Sequence, residues 1–173
     1  MIAVKQNKPI EFSEATMKRA AEIIERYPEG KTKSAVLPLL HLAQEEFDGW
    51  LSVDAMDYVA RMLHIQPVEV YEVASFYSMY NLQPVGKYVI EFCHTGPCAL
   101  RGAEDTLKYI ERKLNIKVGE TTKDGMFTLK TVECLGACGY APMFQVGMNY
   151  YENLNDYHKV DEVLDGLREK FNK

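Results

Sequence analysis

Residues 92–107, FCHTGPCALRGAEDTL, place Cys93 and Cys98 where a short apolar run gives way to a helical pattern. Upstream, residues 87–92 (KYVIEF) are rich in β-branched and aromatic side chains and predict a strand. Downstream, Leu100, Ala103, Leu107, Ile110 and Leu114 recur at helical spacing and mark one face of a helix. A second β-prone run spans Phe127–Val132, set off by an Asp124-Gly125 turn. Two strands separated by a helix of this length most simply form a parallel crossover, which brings their C-terminal ends to one edge of a sheet.

Cys134 and Cys138 follow the second strand, so the full frame is C-x4-C, 35 residues, then C-x3-C. The crossover makes Cys93 and Cys134 neighbours, with Cys98 and Cys138 on adjoining loops at the carboxyl edge, where open α/β sheets place ligands. Cys98 falls near a helix N-terminus, whose unpaired N–H groups favour thiolate over thiol. In the loop CLGACGYAP, Gly136 and Gly139 are expected to turn backbone N–H groups toward sulfur. Hydrogen bonds of that kind help to set iron-sulfur potentials. Three chemistries compete for such a frame. A structural zinc knuckle and a thioredoxin-type dithiol both favour two-residue gaps, whereas the wider loops suit a larger core of two irons, each held by one pair. The spacing thus favours an iron-sulfur cluster over a four-thiolate zinc site in an adaptor without a redox role, and over a redox dithiol.

Working outward, residues 143–146 and 150–152 flank Gly147-Met148-Asn149 as a hairpin, and Val160, Val163, Leu164, Leu167 and Phe171 form the face of a closing helix. The order β-α-β-β-β-α predicts a small α/β sandwich with a mixed sheet. The first half reads as four helices. Ser13 caps a segment with Met17, Ala20, Ala21, Ile24 and Tyr27 on one face, which Pro28 and Gly30 stop. Val36, Leu39, Leu40, Ala43 and Phe47 mark a second helix that ends at Asp48-Gly49. Ser52 caps a third, carrying Met56, Val59 and Leu63, and Pro67 opens a fourth through residues 68–80. Pro84-Val85-Gly86 interrupts the pattern, so residues 1–83 are expected to form a helical bundle domain and residues 84–173 the α/β domain.

Composition narrows the function further. A chain of 173 residues with 47% hydrophobic and 26% charged residues can bury an ordinary core without help from a metal or disulfide. No run approaches the ~20 apolar residues of a membrane span, and the opening residues lack a signal-peptide core, so a cytoplasmic location without membrane insertion is expected. In that reducing compartment the four cysteines, all in the second part, are poor candidates for structural disulfides. Residues 1–84 hold 8 basic and 12 acidic side chains, and residues 85–173 hold 12 and 13. Neither part has the positive field that nucleic-acid binding relies on. Residues 52–80 imitate a helix-turn-helix, but the would-be recognition segment carries Glu69 and Glu72 and no Lys or Arg. His94 next to Cys93 invites a Rieske-like ligand role, yet four cysteines already complete a cluster's ligands, so it is assigned to the surface or to a supporting place beside the ligands. Arg101 and Gly102 are expected in the first helical turn after Cys98, and Glu133 on a solvent-facing strand. The aromatic run at residues 74–80 is expected to pack between the two parts, with a docking face for a partner as the alternative.

Three stretches together carry a resemblance: ASFYSMYNLQPVGKYVIEFCHTGPCALRGAE (residues 74–104), GETTKDGMFTLKTVECLGACGYAPMFQV (residues 119–146), and the cysteine frame. They resemble the small [2Fe-2S] subunit of the NADH dehydrogenase module of respiratory complex I, a family shared with NAD-linked hydrogenases and formate dehydrogenases. The resemblance implies a helical N-terminal domain followed by a thioredoxin-like [2Fe-2S] ferredoxin domain. It implies one [2Fe-2S] cluster, with Cys93 and Cys98 on one iron and Cys134 and Cys138 on the other. It also implies a partner flavoprotein that binds FMN and NADH and carries its own iron-sulfur cluster, so the chain is not expected to oxidise NADH alone. The absence of G-x-G-x-x-G and P-loop motifs fits that division of labour. Some family members continue into a further tail, whereas this sequence stops at Lys173.

Overall fold

The fold is that of a computed structural model, which describes residues 3–5 and 10–171, the side chain of Phe171 excepted. The chain divides into two compact units, one running to Pro84 and the other starting at Val85.

The first unit contains α1 (Glu14–Ile24), α2 (Val36–Glu46), α3 (Val53–Leu63) and α4 (Pro67–Phe76), with a 3-10 turn at Thr32–Ala35 leading into α2. Val36, Leu39, Leu40 and Ala43 of α2 are buried, together with Ala20 of α1, Met56, Val59 and Leu63 of α3, and Val70 and Ala74 of α4. The hydroxyls of Ser13 and Ser52 accept from the backbone N–H groups of Thr16 and Ala55, capping α1 and α3 as their sequences predict. Gln66 and Glu69 form a capping box on α4, and Pro67 occupies its first turn.

Two expectations shift. On α1, Met17 and Ala21 face solvent, and the inward face runs through Thr16, Ala20, Ile23 and Ile24. The physical reason is a polar pin: Thr16 Oγ1 donates to Glu46 Oε2 at 2.7 Å and Ser13 N–H to Glu46 Oε1 at 3.0 Å, which turns α1 by one residue. The fourth helix stops at Phe76 instead of Tyr80, because Tyr77 is extended. Tyr80 Oη then donates to the Leu37 carbonyl at 2.9 Å, and Asn81 N–H to Gln44 Oε1 at 2.7 Å, tying the segment back onto α2. Of the aromatic run only Ala74 and Tyr80 are buried; Phe76 is 80% and Tyr77 40% exposed.

The second unit is a mixed four-stranded sheet in the order β2-β1-β3-β4. Its strands are β1 (Tyr88–Cys93), β2 (Phe127–Val132), β3 (Phe144–Val146) and β4 (Asn149–Tyr151). The crossover between β1 and β2 is parallel, with Cys93 opposite Val132, and β1 and β3 pair antiparallel, as do β3 and β4. The β3–β4 loop is the two-residue turn Gly147-Met148, with Gly147 at φ +58°. Register puts Ile90, Phe92, Leu129, Phe144 and Val146 on one face, where they are buried with Ile110 and Leu114 of α6 (Ala103–Leu114) and Val160, Leu164 and Leu167 of α7 (Tyr157–Phe171). On the opposite face the partners Glu91 and Lys130 form an ion pair at 2.9 Å.

The helix after β1 is interrupted. A short α5 (Gly96–Leu100) precedes α6, and Arg101 and Gly102, expected in the first helical turn, form the break between them. Gly102 has φ +89°, a conformation glycine adopts without a Cβ penalty. The break puts Leu100 out of phase with α6, so it is 90% exposed and not a member of that helix's buried face.

Candidate metal centre

The carboxyl edge of the parallel pair is where the cysteines gather. Cys93 is the last residue of β1, and its N–H donates to the Met143 carbonyl at 3.2 Å. Cys98 lies within α5, whose turn closes by Cys98 N–H donating to the Thr95 carbonyl at 3.0 Å. Cys134 follows β2 by two residues, and Cys138 opens a 3-10 turn, Cys138–Tyr140. Cys93 and Cys98 are each 2% exposed and belong to the hydrophobic core, whereas Cys134 and Cys138 are exposed.

The thiols come together as two pairs. Cys134 Sγ and Cys138 Sγ are 3.5 Å apart. The Cys93 and Cys98 thiols are each other's hydrogen-bond partner, and across the site Cys98 feels the charge of Cys138, as Cys138 feels that of Cys93. Among the described residues no three His, Cys, Asp or Glu side chains converge on a single metal position.

Backbone amides face the sulfurs. Thr95 and Leu135 donate to Cys93, Met143 to Cys98, and Gly136 to Cys134 at 3.4 Å, while Cys138 is faced by its own amide. Amides aimed at sulfur stabilise negative charge there. Gly136 takes φ +81°, which lets its amide turn inward; Gly139 has no such conformation, and the expectation that it would aid the turn is not met. The Thr95 hydroxyl lies 3.7 Å from Cys93 Sγ.

These surroundings divide the first pair. Burial acts to raise the pKa of Cys93, but hydrogen bonds from the Thr95 amide, the Cys98 thiol and the Leu135 amide outweigh it and bring it below the ordinary thiol value. Burial first, then the bond to Cys93 and its charge, pushes Cys98 up to about 11. The contact with Cys134, followed by burial, raises Cys138. In the metal-free chain each pair therefore retains a proton that a metal must displace, so binding a thiophilic metal releases protons.

His94 and Glu133 flank the site just past the two strand ends, 3.9 Å apart and solvent-exposed; Glu133 faces solvent as expected but follows β2 instead of lying on it. Sequence reasoning missed Thr95, Leu135, Met143 and Tyr150. The first three act through their amides, which leave no side-chain signal. Tyr150 reaches the site from a hairpin, donating from Oη to the Leu135 carbonyl at 2.7 Å.

A parallel crossover extended by an antiparallel hairpin, with two cysteine pairs at its carboxyl edge, defines the thioredoxin-like ferredoxin class. The chain belongs to the thioredoxin-like [2Fe-2S] ferredoxin family, whose model matches residues 20–168. It is 51% identical over 154 residues to an NADH-quinone oxidoreductase subunit of Rickettsia typhi, covering 89% of this chain and 90% of that protein. It is 48% identical over 160 residues to the protein of the same name in Rickettsia prowazekii, covering 92% and 90%. The fold is also similar to the crystal structure of an NAD+-reducing [NiFe]-hydrogenase in the air-oxidised state. That likeness has a TM-score of 0.66 at 20% identity, and spans 79% of this chain and 23% of that one.

Proposed function

We propose that this chain is a one-electron transfer subunit, carrying one [2Fe-2S] cluster next to the FMN of a partner flavoprotein that oxidises NADH. Cys93 and Cys98 hold one iron, and Cys134 and Cys138 the other. The observation that carries the reading is the arrangement of the four thiols as two pairs, each sulfur faced by an amide. The donor set fits a binuclear cluster better than a lone zinc, because thiolates suit both metals but pairing suits two irons. Near-full-length similarity to subunits of NADH-quinone oxidoreductase supports that enzyme as the parent complex. Residues 84–173 form the cluster domain and residues 1–83 a helical domain beside it in sequence.

A [2Fe-2S] cluster supplies a one-electron acceptor, whereas NADH gives up a two-electron hydride, so a flavin must part the two electrons. The chain's own residues supply the rest. Core burial fixes Cys93 and Cys98, and the amides of Thr95, Leu135, Met143 and Gly136 hold charge on sulfur without moving when an electron arrives. Among the described residues no helix is long and apolar enough to cross a membrane. We place the chain at the cytoplasmic face of a membrane complex, held there by its partner, the FMN- and NADH-binding flavoprotein with its own iron-sulfur cluster.

The test is reconstitution. The isolated chain should contain iron and acid-labile sulfide in equal amounts and stay oxidised when NADH is added. Adding the FMN-containing flavoprotein should make it reducible by NADH. A zinc-only chain, or one that NADH reduces unaided, overturns the proposal.

A further inference from the structure

The second cysteine loop is strapped down by residues that follow the hairpin. Asn153 N–H donates to the Tyr140 carbonyl at 2.8 Å, and Leu154 N–H to the Pro142 carbonyl at 3.0 Å. Leu154 is itself fully buried, and its carbonyl accepts from Thr106 Oγ1 at 3.1 Å, so the strap is anchored in the core. Tyr150, on β4, makes the third bond, from Oη to the Leu135 carbonyl at 2.7 Å.

That last bond has a directional consequence. The Leu135 carbonyl and the Gly136 N–H are two ends of one planar peptide. The Gly136 N–H donates to Cys134 Sγ at 3.4 Å. Holding the carbonyl end therefore fixes where the N–H end points, and a donor on the carbonyl polarises the amide, strengthening its own donation by about 10–30% in condensed-phase estimates. Gly136 at φ +81° gives the peptide freedom to swing, which is the freedom the Tyr150 hydroxyl removes.

We propose that Tyr150 is a positioning residue for Cys134: its hydroxyl orients the Leu135–Gly136 peptide so that the amide stabilises negative charge on the Cys134 sulfur, more so when the site is reduced. The inference rests on Cys134 being a cluster ligand. It goes beyond that reading by assigning control of the reduction potential to a hydroxyl outside both cysteine loops.

The experiment compares Tyr150→Phe with Tyr140→Phe in the cluster-loaded chain by potentiometric titration of the paramagnetic signal. Tyr140 is an exposed tyrosine beside Cys138 and controls for surface effects. Tyr150→Phe should make reduction about threefold less favourable, about 28 mV at 59 mV per decade for one electron, while the metal-free chain still folds and melts cooperatively with only a small drop in melting temperature. Tyr140→Phe should leave the potential where it is. An unmoved Tyr150→Phe potential, or equal shifts in both variants, overturns the role. Should Tyr150→Phe not retain its cluster, exchange of the Gly136 amide in the metal-free chain decides: several-fold acceleration supports the role and an unchanged rate overturns it. A wild-type chain with no cluster signal defeats the ligand assignment instead, so the two failures are distinguishable.

Discussion

Cys93 and Cys98, and Cys134 and Cys138, stand at the ends of two adjacent parallel strands, yet they are held by different forces. The first pair is 2% exposed and packs in the same hydrophobic cluster as Phe92, Met143 and Phe144. The second is exposed, and its loop is held by hydrogen bonds from Tyr150, Asn153 and Leu154. Burial is costly to perturb and gives the first pair a role in the fold whether or not metal is bound. Hydrogen bonds to an exposed loop contribute less, about 1 kcal/mol each, but they are directional and set the electrostatics at sulfur. One side of the site is built for rigidity and the other for access and tuning.

Four substitutions probe the contrast most strongly. On the proposed assignment, changing any one of Cys93, Cys98, Cys134 or Cys138 to serine should remove the [2Fe-2S] absorbance, the largest effect expected. The metal-free chains should then differ by side. Cys93→Ser or Cys98→Ser replaces a sulfur packed in the core by a smaller, more strongly solvated hydroxyl that reaches the surrounding amides less well, and should destabilise the fold by about 1–3 kcal/mol in denaturant titration. Cys134→Ser or Cys138→Ser should stay within about 0.5 kcal/mol of the parent. Equal penalties on both sides would break the comparison.

Thiol labelling sharpens it. In the metal-free native chain a small alkylating reagent should modify Cys134 and Cys138 at least about tenfold faster than Cys93 and Cys98, because only the second pair is open to solvent, a difference that outweighs the lowered pKa of Cys93 and the raised pKa of Cys138. Mass spectrometry of timed samples would show the order, and simultaneous labelling would mean that the first loop opens as readily as the second.

The smallest effect concerns the strand that delivers the second loop. Asp124 sits in the turn before β2, accepting from the Thr122 hydroxyl and, at 3.0 Å, from the Met126 amide. These bonds, the Thr122 hydroxyl foremost, hold its pKa below the usual carboxylate value. A lowered folded-state pKa contributes stability above the unfolded value of about 3.9 and loses it as pH falls through the folded value. Asp124→Asn should therefore flatten the acid limb of the melting curve below about pH 4, an effect kept small by solvent screening.

Much of this arrangement was legible in the residues. The strand at Phe127–Val132 is where its β-prone run predicts, and the parallel crossover follows from strand, helix and strand in that order. The exposure difference between the cysteine pairs was not legible, since both lie in Gly-rich loops of similar composition. Nor was the break at Gly102: Leu100 continues the periodicity of α6, and only the αL turn shows that it belongs to another element. Thr16 took the inward place assigned to Met17 because the Glu46 carboxylate offered it a partner from another helix. Tyr150 could not be found from sequence, because its target is a carbonyl fifteen positions away across a hairpin. Periodicity reports apolar faces well and long-range polar contacts hardly at all.

The central claim, that the four thiols hold two irons and pass single electrons, is tested most directly by paramagnetic resonance of the anaerobically purified chain before and after dithionite. The account predicts a silent oxidised protein, red-brown in colour, that on reduction gives a single signal of a reduced [2Fe-2S] cluster. A colourless chain that stays silent after dithionite and contains zinc in place of iron would contradict it.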